Sequence, residues 1–286
     1  MATAIVTDST AYLPAELLEG LDVRVVPLHV VVGGRAFREG VDIGPSEVAA
    51  ALRAFTPVST SRPAPQAFLD AYAAAAAAGA DAVVSVHISA ELSSTLGGAE
   101  LAAAQAPVPV TVIDSRALGM VMGYAVLAGA RRAAAGASAD EVARVVRETC
   151  AGASVVFYVD TLEFLRRGGR IGRAGALVGS ALAIKPILGL RDGQIVPLER
   201  VRTATRAIGR LEDLAAEAAQ LAVDAGREVD LAVHHLDSAE RAARLAERLA
   251  ERVPGAGMRV VELGAVVGAH VGPGTLAVAV VPRVAG

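Results

Sequence analysis

Apolar positions along the chain follow two alternating rhythms. Short runs rich in Val and Ile, such as Thr3–Thr7, Ala82–Ser89 and Val110–Asp114, are separated by longer Ala- and Leu-rich stretches. The run 82–89 is apolar at nearly every position, which is the pattern of a strand buried on both faces. Residues 64–78, 94–104 and 119–136 read as helices. Pro14 opens a helix through Leu18 and Pro45 another through Phe55, since proline suits the first helical turn. Val23–Val32 predicts a second strand region, with Gly33 and Gly34 as a hairpin turn before Ala36 and Phe37. Strand–helix alternation of this kind predicts a parallel sheet covered on both faces.

The pattern changes after residue 150. Ser154–Val159, Gly193–Glu199, Glu228–His235, Met258–Leu263 and Thr275–Val281 read as strands, with Asp192 and Gly193 as a turn. Two amphipathic helices fit Thr205–Ala225 and Ser238–Arg252. Ser238 is a suitable cap, and Glu240 with Arg244 makes an i,i+4 pair. The chain therefore reads as α/β. An N-terminal three-layer α/β/α domain with a parallel sheet covers residues 1–152. A smaller C-terminal two-layer α/β domain with a mixed sheet covers 153–286.

Composition narrows the function. Hydrophobic residues are 53% of 286, much of this alanine, while aromatics are 3% and Trp is absent. Base stacking has little to work with. The net charge of −3 gives no electrostatic footprint for phosphate backbones, so nucleic acid is not an expected partner. Mean hydropathy is +0.48, yet no window reaches the roughly 18 to 20 uncharged apolar residues that span a bilayer. Stable membrane insertion is not expected. The N-terminus lacks the basic start and long apolar run of a signal peptide. A single cysteine, Cys150, suits a reducing compartment, so the cytoplasm is the expected location.

Phosphate-cradling glycine motifs and the Gly-x-Ser-x-Gly nucleophile elbow are both missing. Cys150 reads as packing. His234 and His235 are adjacent on a strand and point to opposite faces, which makes a poor metal pocket. No metal and no cofactor are expected. Three polar stretches hold more promise. Val58–Pro63 is a hydroxyl cluster, read as a loop. Ser89–Gly98 follows a buried strand and opens a helix, where hydroxyls and free N–H groups can hold an anion. In an open α/β sheet, the crevice beyond the strand carboxyl ends is where ligands bind. Gly268–Gly274, read as a glycine-rich loop, sets His270 where backbone can approach a ligand closely.

Taken together, these stretches resemble the DegV family along nearly the whole chain. Ile5–Thr10 with Pro14 is similar to its first strand and turn. Thr60-Ser61-Arg62-Pro63 resembles its Thr-Ser-Gln-Pro, with Arg62 where Gln is usual. His87–Thr95 resembles its Ile-Ser-Ser-x-Leu-Ser-Gly-Thr, with Ser94 in place of the glycine. Val112–Ser115 fits its next strand. The segment Asp160–Ile171, DTLEFLRRGGRI, matches its Asp-Thr-Leu-x-x-Leu-x-x-Gly-Gly-Arg-Ile. Ile184–Ile187 and His270–Gly274 match its later signatures.

The resemblance implies a fatty acid carrier that presents a long acyl chain's carboxyl group to a partner acyl kinase, and so a ligand-binding protein without catalysis of its own. It implies a carboxylate site at Thr60, Ser93 and His270, with Ser61, Thr95 and backbone near Gly274 as further contributors. A tunnel between the domains is expected for the tail, with Leu28, Phe157, Leu165, Leu177, Ile184 and Ile187 as candidate lining. The basic stretch Arg166, Arg167, Arg170 and Arg173, extended by Arg202 and Arg206, is a candidate kinase-docking surface, with Arg170, Arg173 and Arg202 at its centre. The alternative is a hydrolase or acyltransferase in which Ser93 is the nucleophile and His270 its base.

Overall fold

The computed structural model describes residues 2–177 and 184–284, apart from the side chain of Leu177. The first half runs β1 (Thr3–Asp8), β2 (Val23–Val26), β3 (His29–Val32), β4 (Arg35–Arg38), α1 (Pro45–Arg53), β5 (Val58–Ser61), α2 (Pro65–Ala77), β6 (Ala82–His87), α3 (Thr95–Ala103), β7 (Val110–Asp114), α4 (Met120–Ala134) and α5 (Ala139–Gly152). The second half runs β8 (Ser154–Tyr158), α6 (Glu163–Arg167), β9 (Lys185–Arg191), β10 (Gln194–Val201), α7 (Ala204–Asp224), β11 (Val229–His235), α8 (Ala239–Arg252), β12 (Gly257–Glu262), α9 (Ala265–Val271) and β13 (Leu276–Pro282).

These elements form two compact units. One holds residues 1–29 and 61–152, the other 30–60 and 153–286. The chain breaks after Gly152, but the first unit is not continuous over 1–152: Val30–Thr60 belongs to the second unit. That addition makes the mixed-sheet unit the larger of the two, where the sequence reading expects the smaller. The physical reason lies at Pro27. The apolar run Val23–Val32 reads as one strand, yet it divides into β2 and β3, which join different sheets.

The first unit is a parallel sheet in the order β2-β1-β6-β7. Alternation along β1 explains its two cores. Ile5 packs with Val84, Val86, Met122, Val126 and Val146 on the α4–α5 side. Ala4 and Val6 pack with Phe68, Tyr72 and Ala99 on the α2–α3 side. This is the three-layer arrangement that both-face burial requires. The chain leaves β1 and β6 in opposite directions across the sheet, so a topological switch point lies between their carboxyl ends.

The second unit contains a mixed sheet in the order β10-β9-β8-β13-β11-β12, antiparallel except between β11 and β12. Helices α7 and α8 cover one face through Leu211, Leu245 and Leu249 against Tyr158, Leu231 and Val278. Strand β9, not marked out by the sequence pattern, pairs with β10 as a hairpin about Asp192 and Gly193. A small sheet, β4-β3-β5, adds to this unit. Ser238 makes no side-chain cap to α8, contrary to expectation; its hydroxyl instead accepts from Arg241 at 3.4 Å.

Candidate functional site

The hydroxyl cluster near residue 60 is not a loop. Val58–Ser61 is strand β5, and Thr60 and Ser61 therefore face opposite ways. Likewise His270 lies on a helix, α9, rather than in a glycine-rich loop. The two elements bring Thr60 Oγ1 and His270 Nε2 to 2.8 Å. Nδ1 of the same ring is buried and has no hydrogen-bond partner among the described residues. Burial, and then the charge of Arg170, lowers the His270 pKa to about 4, so the imidazole is neutral at pH 7.

Thr60 and His270 line a cavity of about 660 Å³ that lies wholly within the second unit. Its walls come from Val31, Leu52, Phe55, Val58, Phe164 and Ala269. Its volume falls in the range of small-molecule sites, and its lining is mixed, with Thr56, Ser59, Thr60, Arg167, Arg170 and His270 beside those apolar residues. Arg170 is part of the lining and donates to the Gly168 carbonyl at 2.6 Å. Phe55 is 86% exposed and has a left-handed φ of 56°, so it forms a rim rather than a floor. The expected tunnel lining is different. Leu165 and Ile187 are fully buried core, Leu28 and Phe157 are nearly so, and Ile184 is half-buried. None of them lines this cavity. The Leu177 side chain lies outside the described residues.

The glycines of the two signature segments are explained by close packing. A Cβ on Gly168 would overlap the His270 ring, one on Gly272 the Phe164 ring, and one on Gly274 the Asp160 carboxylate. Gly272 and Gly274 also have φ of 78° and 84°, where other residues are strained. The Gly274 N–H donates to the Leu236 carbonyl at 2.9 Å, and its carbonyl accepts from Arg241 at 3.4 Å. This glycine's backbone is engaged in holding the turn.

Ser93 and Thr95 belong to the first unit, in the loop after β6 and at the start of α3. Their hydroxyls are 2.8 Å apart, and Ser93 Oγ also accepts from the Thr95 amide at 3.3 Å. Thr95 is fully buried and Ser93 half-buried. Beside them is a network that the sequence reading missed. Asp8, at the end of β1, accepts from the Ile88 amide at 2.9 Å and from the Thr10 amide and hydroxyl at 3.0 and 2.5 Å. It also pairs with His87 Nδ1 at 3.1 Å. His87 Nε2 meets Ser85 Oγ at 2.7 Å, and Ser85 meets Tyr72 OH at 2.9 Å. The Ser–His–Asp order has the connectivity of a hydrolase triad. All three residues are 0% exposed, however, so no substrate reaches Ser85. The network ties β1 to β6 at the switch point. The only signals for it were an acid at a strand end and a histidine on an apolar run.

A serine nucleophile needs a base that is itself oriented by a third group. Ser93 pairs with Thr95, and among the described residues His270 Nδ1 has no carboxylate partner. The Cys150 thiol is pushed up to about 12 by burial and by Asp114, which removes thiolate chemistry at neutral pH. Of the basic stretch, Arg166 and Arg167 both bind Glu163, and Arg173 and Arg202 are exposed. Among the described residues no cluster of His, Cys, Asp or Glu could hold a metal ion, and no helix is long and apolar enough to cross a membrane.

The sequence model of the DegV family, described as "Uncharacterised protein, DegV family", matches residues 2–283. A DegV domain-containing protein of Streptomyces coelicolor is 53% identical over 281 residues, 98% of each chain. One from Mycobacterium tuberculosis is 40% identical over 284 residues, 98% of this chain and 97% of the other. Among solved structures, a DegV family protein from Thermus thermophilus, described for its fatty acid binding, superposes with a TM-score of 0.90 at 36% identity, covering 99% of this chain and all of that one. DegV of Bacillus subtilis, described as a fatty acid binding protein, gives 0.89 at 31% identity with the same coverage.

Proposed function

This chain belongs to the DegV family, and from that premise we propose that it binds one long-chain fatty acid and presents the carboxyl group to a partner acyl kinase. The observation that carries the reading is the cavity whose apolar walls meet the Thr60–His270 pair. The acyl chain occupies the cavity and the carboxylate lies at that pair. Fatty acid binding by the Thermus thermophilus and Bacillus subtilis proteins supports this assignment of the ligand class.

The hydrogen-bond arithmetic favours an anion here. An N–H at the buried Nδ1 would be an orphan donor, the costlier kind of unpaired group, so the proton belongs on Nε2. Nε2 then donates to Thr60 Oγ1, and the Thr60 O–H is free to donate to a carboxylate oxygen. Arg170 supplies positive charge in the same lining. A buried carboxylate requires several such donors, since burying it unpaired is prohibitive. Ser61, Ser93 and Thr95 are proposed as further hydroxyl donors, each tested by a single substitution to Ala. Gly274 is kept as the turn that holds this segment.

The tail dominates the affinity. Burying about 16 carbons at ~0.8 kcal/mol each is worth on the order of 10 kcal/mol gross, and lost freedom offsets several kcal/mol. The head group fixes orientation. Exposed Arg173 and Arg202, with Arg170 at the cavity, form the proposed kinase-facing surface. The kinase would transfer a phosphoryl group from a nucleoside triphosphate to the carboxylate oxygen, the nucleoside diphosphate leaving, and the acyl phosphate would enter phospholipid metabolism in the cytoplasm.

The test is to purify the protein natively, extract it with organic solvent and identify the extract by mass spectrometry. A stoichiometric long-chain fatty acid is expected. An empty protein that takes up neither palmitate nor oleate would contradict the proposal.

A further inference from the structure

Helix α9 carries His270 in its last turn, and it is only seven residues long. A helix this short has no independent stability, and its terminal amides and carbonyls need outside partners. The residue before it, Gly264, has no side chain to cap it. The partner comes from far along the chain. Glu39 is 5% exposed, and its Oε1 accepts from the Val266 amide at 2.7 Å. A buried carboxylate placed at a helix start gains both a charge-assisted hydrogen bond and the favourable end of the helix dipole.

At the other end, Thr275 Oγ1 donates to the carbonyls of Val271 and Gly272 at 3.1 and 2.8 Å. The helix is thus pinned at both termini. Glu39 is itself held in a closed turn. The Gly40 amide donates to the Ile43 carbonyl at 3.0 Å, and Arg38 binds Asp42 through its side chain at 2.9 Å and its amide at 3.0 Å. Val266 and His270 are one turn apart on the same face, about 6 Å along the axis.

We infer that Glu39 is a positioning residue for the head-group site: by fixing the start of α9 it fixes where His270 meets Thr60. This rests on the reading of the Thr60–His270 pair as the carboxylate site, with His270 orienting the Thr60 hydroxyl. A slip of the helix by a fraction of its rise would break the 2.8 Å contact while leaving the apolar cavity walls from α1, β3 and β5 in place.

The test compares wild type with Glu39→Ala and Glu39→Asp; the latter keeps the buried carboxylate but withdraws it by one methylene. Two readouts are taken: the imidazole ¹⁵N resonances of His270 in delipidated protein, and affinity for palmitate against methyl palmitate. Both variants should shift the His270 resonances. Glu39→Ala should weaken palmitate about tenfold, the effect of one lost charge-assisted hydrogen bond, and change methyl palmitate less than about twofold. Unchanged His270 resonances in both variants would overturn the inference, as would an equal loss for acid and ester. If wild type binds no fatty acid, the proposed function fails instead, and the resonances still decide the role of Glu39.

Discussion

Gly168 lies so close to the imidazole of His270 that a Cβ built on it would overlap Nδ1. The Gly168 backbone, with φ −74° and ψ −9°, is ordinary helical geometry that any residue adopts. Space alone demands glycine here. Gly168→Ala should therefore push the ring away from Thr60, destabilise the protein by roughly 1–3 kcal/mol and weaken fatty acid binding. Chemical denaturation and a lipid-binding titration check this. Gly272→Ala should cost more, because it adds a left-handed φ to a collision with Phe164.

Thr60→Val conserves shape and removes the hydroxyl. It leaves His270 Nε2 without its partner, at a cost of about 1–3 kcal/mol. Binding of a free fatty acid should weaken by about tenfold if one charge-assisted bond is lost, while binding of its methyl ester should barely change. Paired titrations with acid and ester give the answer.

Three imidazoles, His234 and His235 buried and His270 half-buried, predict an acid-sensitive fold. Burial lowers His234 and His270 to about 4, and lowers His235 as well. Between pH 6.5 and 4 the unfolded chain takes up protons that the folded protein refuses, so stability is lost as pH falls through that window and is flat above about pH 7. His234 and His270 each account for up to about 3 kcal/mol at 1.4 kcal/mol per pH unit. Urea midpoints from pH 4 to 8 should fall on the acid side, and His270→Gln should flatten the slope. A midpoint constant across the window would contradict this.

Asp8→Asn keeps the shape of the residue that ties β1 to β6 but loses the charge and half of its acceptors. Breaking a buried, paired charge typically costs about 3–5 kcal/mol. Denaturant unfolding should show a loss of that order. A fluorophosphonate probe should label neither Ser85, which is fully buried, nor Ser93. Labelling of Ser93 would favour the hydrolase reading.

If the proposed acyl kinase docks on this surface, charge reversal at Arg202, which is exposed, should weaken phosphorylation of the bound acid and leave lipid affinity unchanged. Reversal at Arg170, which lines the cavity, should reduce both. Measuring kinase coupling and lipid binding on the same two variants separates the docking surface from the head-group site.

Most of the architecture was legible because local pattern and global fold agree. The β-branched runs at Thr3, Ala82 and Val110 are strands β1, β6 and β7, and the Ala-rich stretches between them are helices. The errors fall where tertiary structure overrides local preference. Four glycines between Gly264 and Gly274 argue against a helix, but α9 forms because Glu39 and Thr275 satisfy its ends and Gly268 lets it pack against Leu236. Pro27 splits one apolar run into strands of two sheets, which sends residues 30–60 to the second unit. That transfer placed Val31, Leu52 and Val58 in the cavity wall, and no local signal marked them. The family resemblance set Thr60 and His270 at one expected site; the direct hydrogen bond between them, across 210 residues, is written in neither local segment.

On the proposed reading, the cavity of the second unit holds an acyl chain with its carboxylate at Thr60 and His270. The most direct measurement is the ¹³C spectrum of carboxyl-labelled oleate bound to wild type, Thr60→Val and His270→Gln. One bound carboxyl resonance that both substitutions displace is expected. A bound resonance untouched by either substitution would place the head group elsewhere and contradict it.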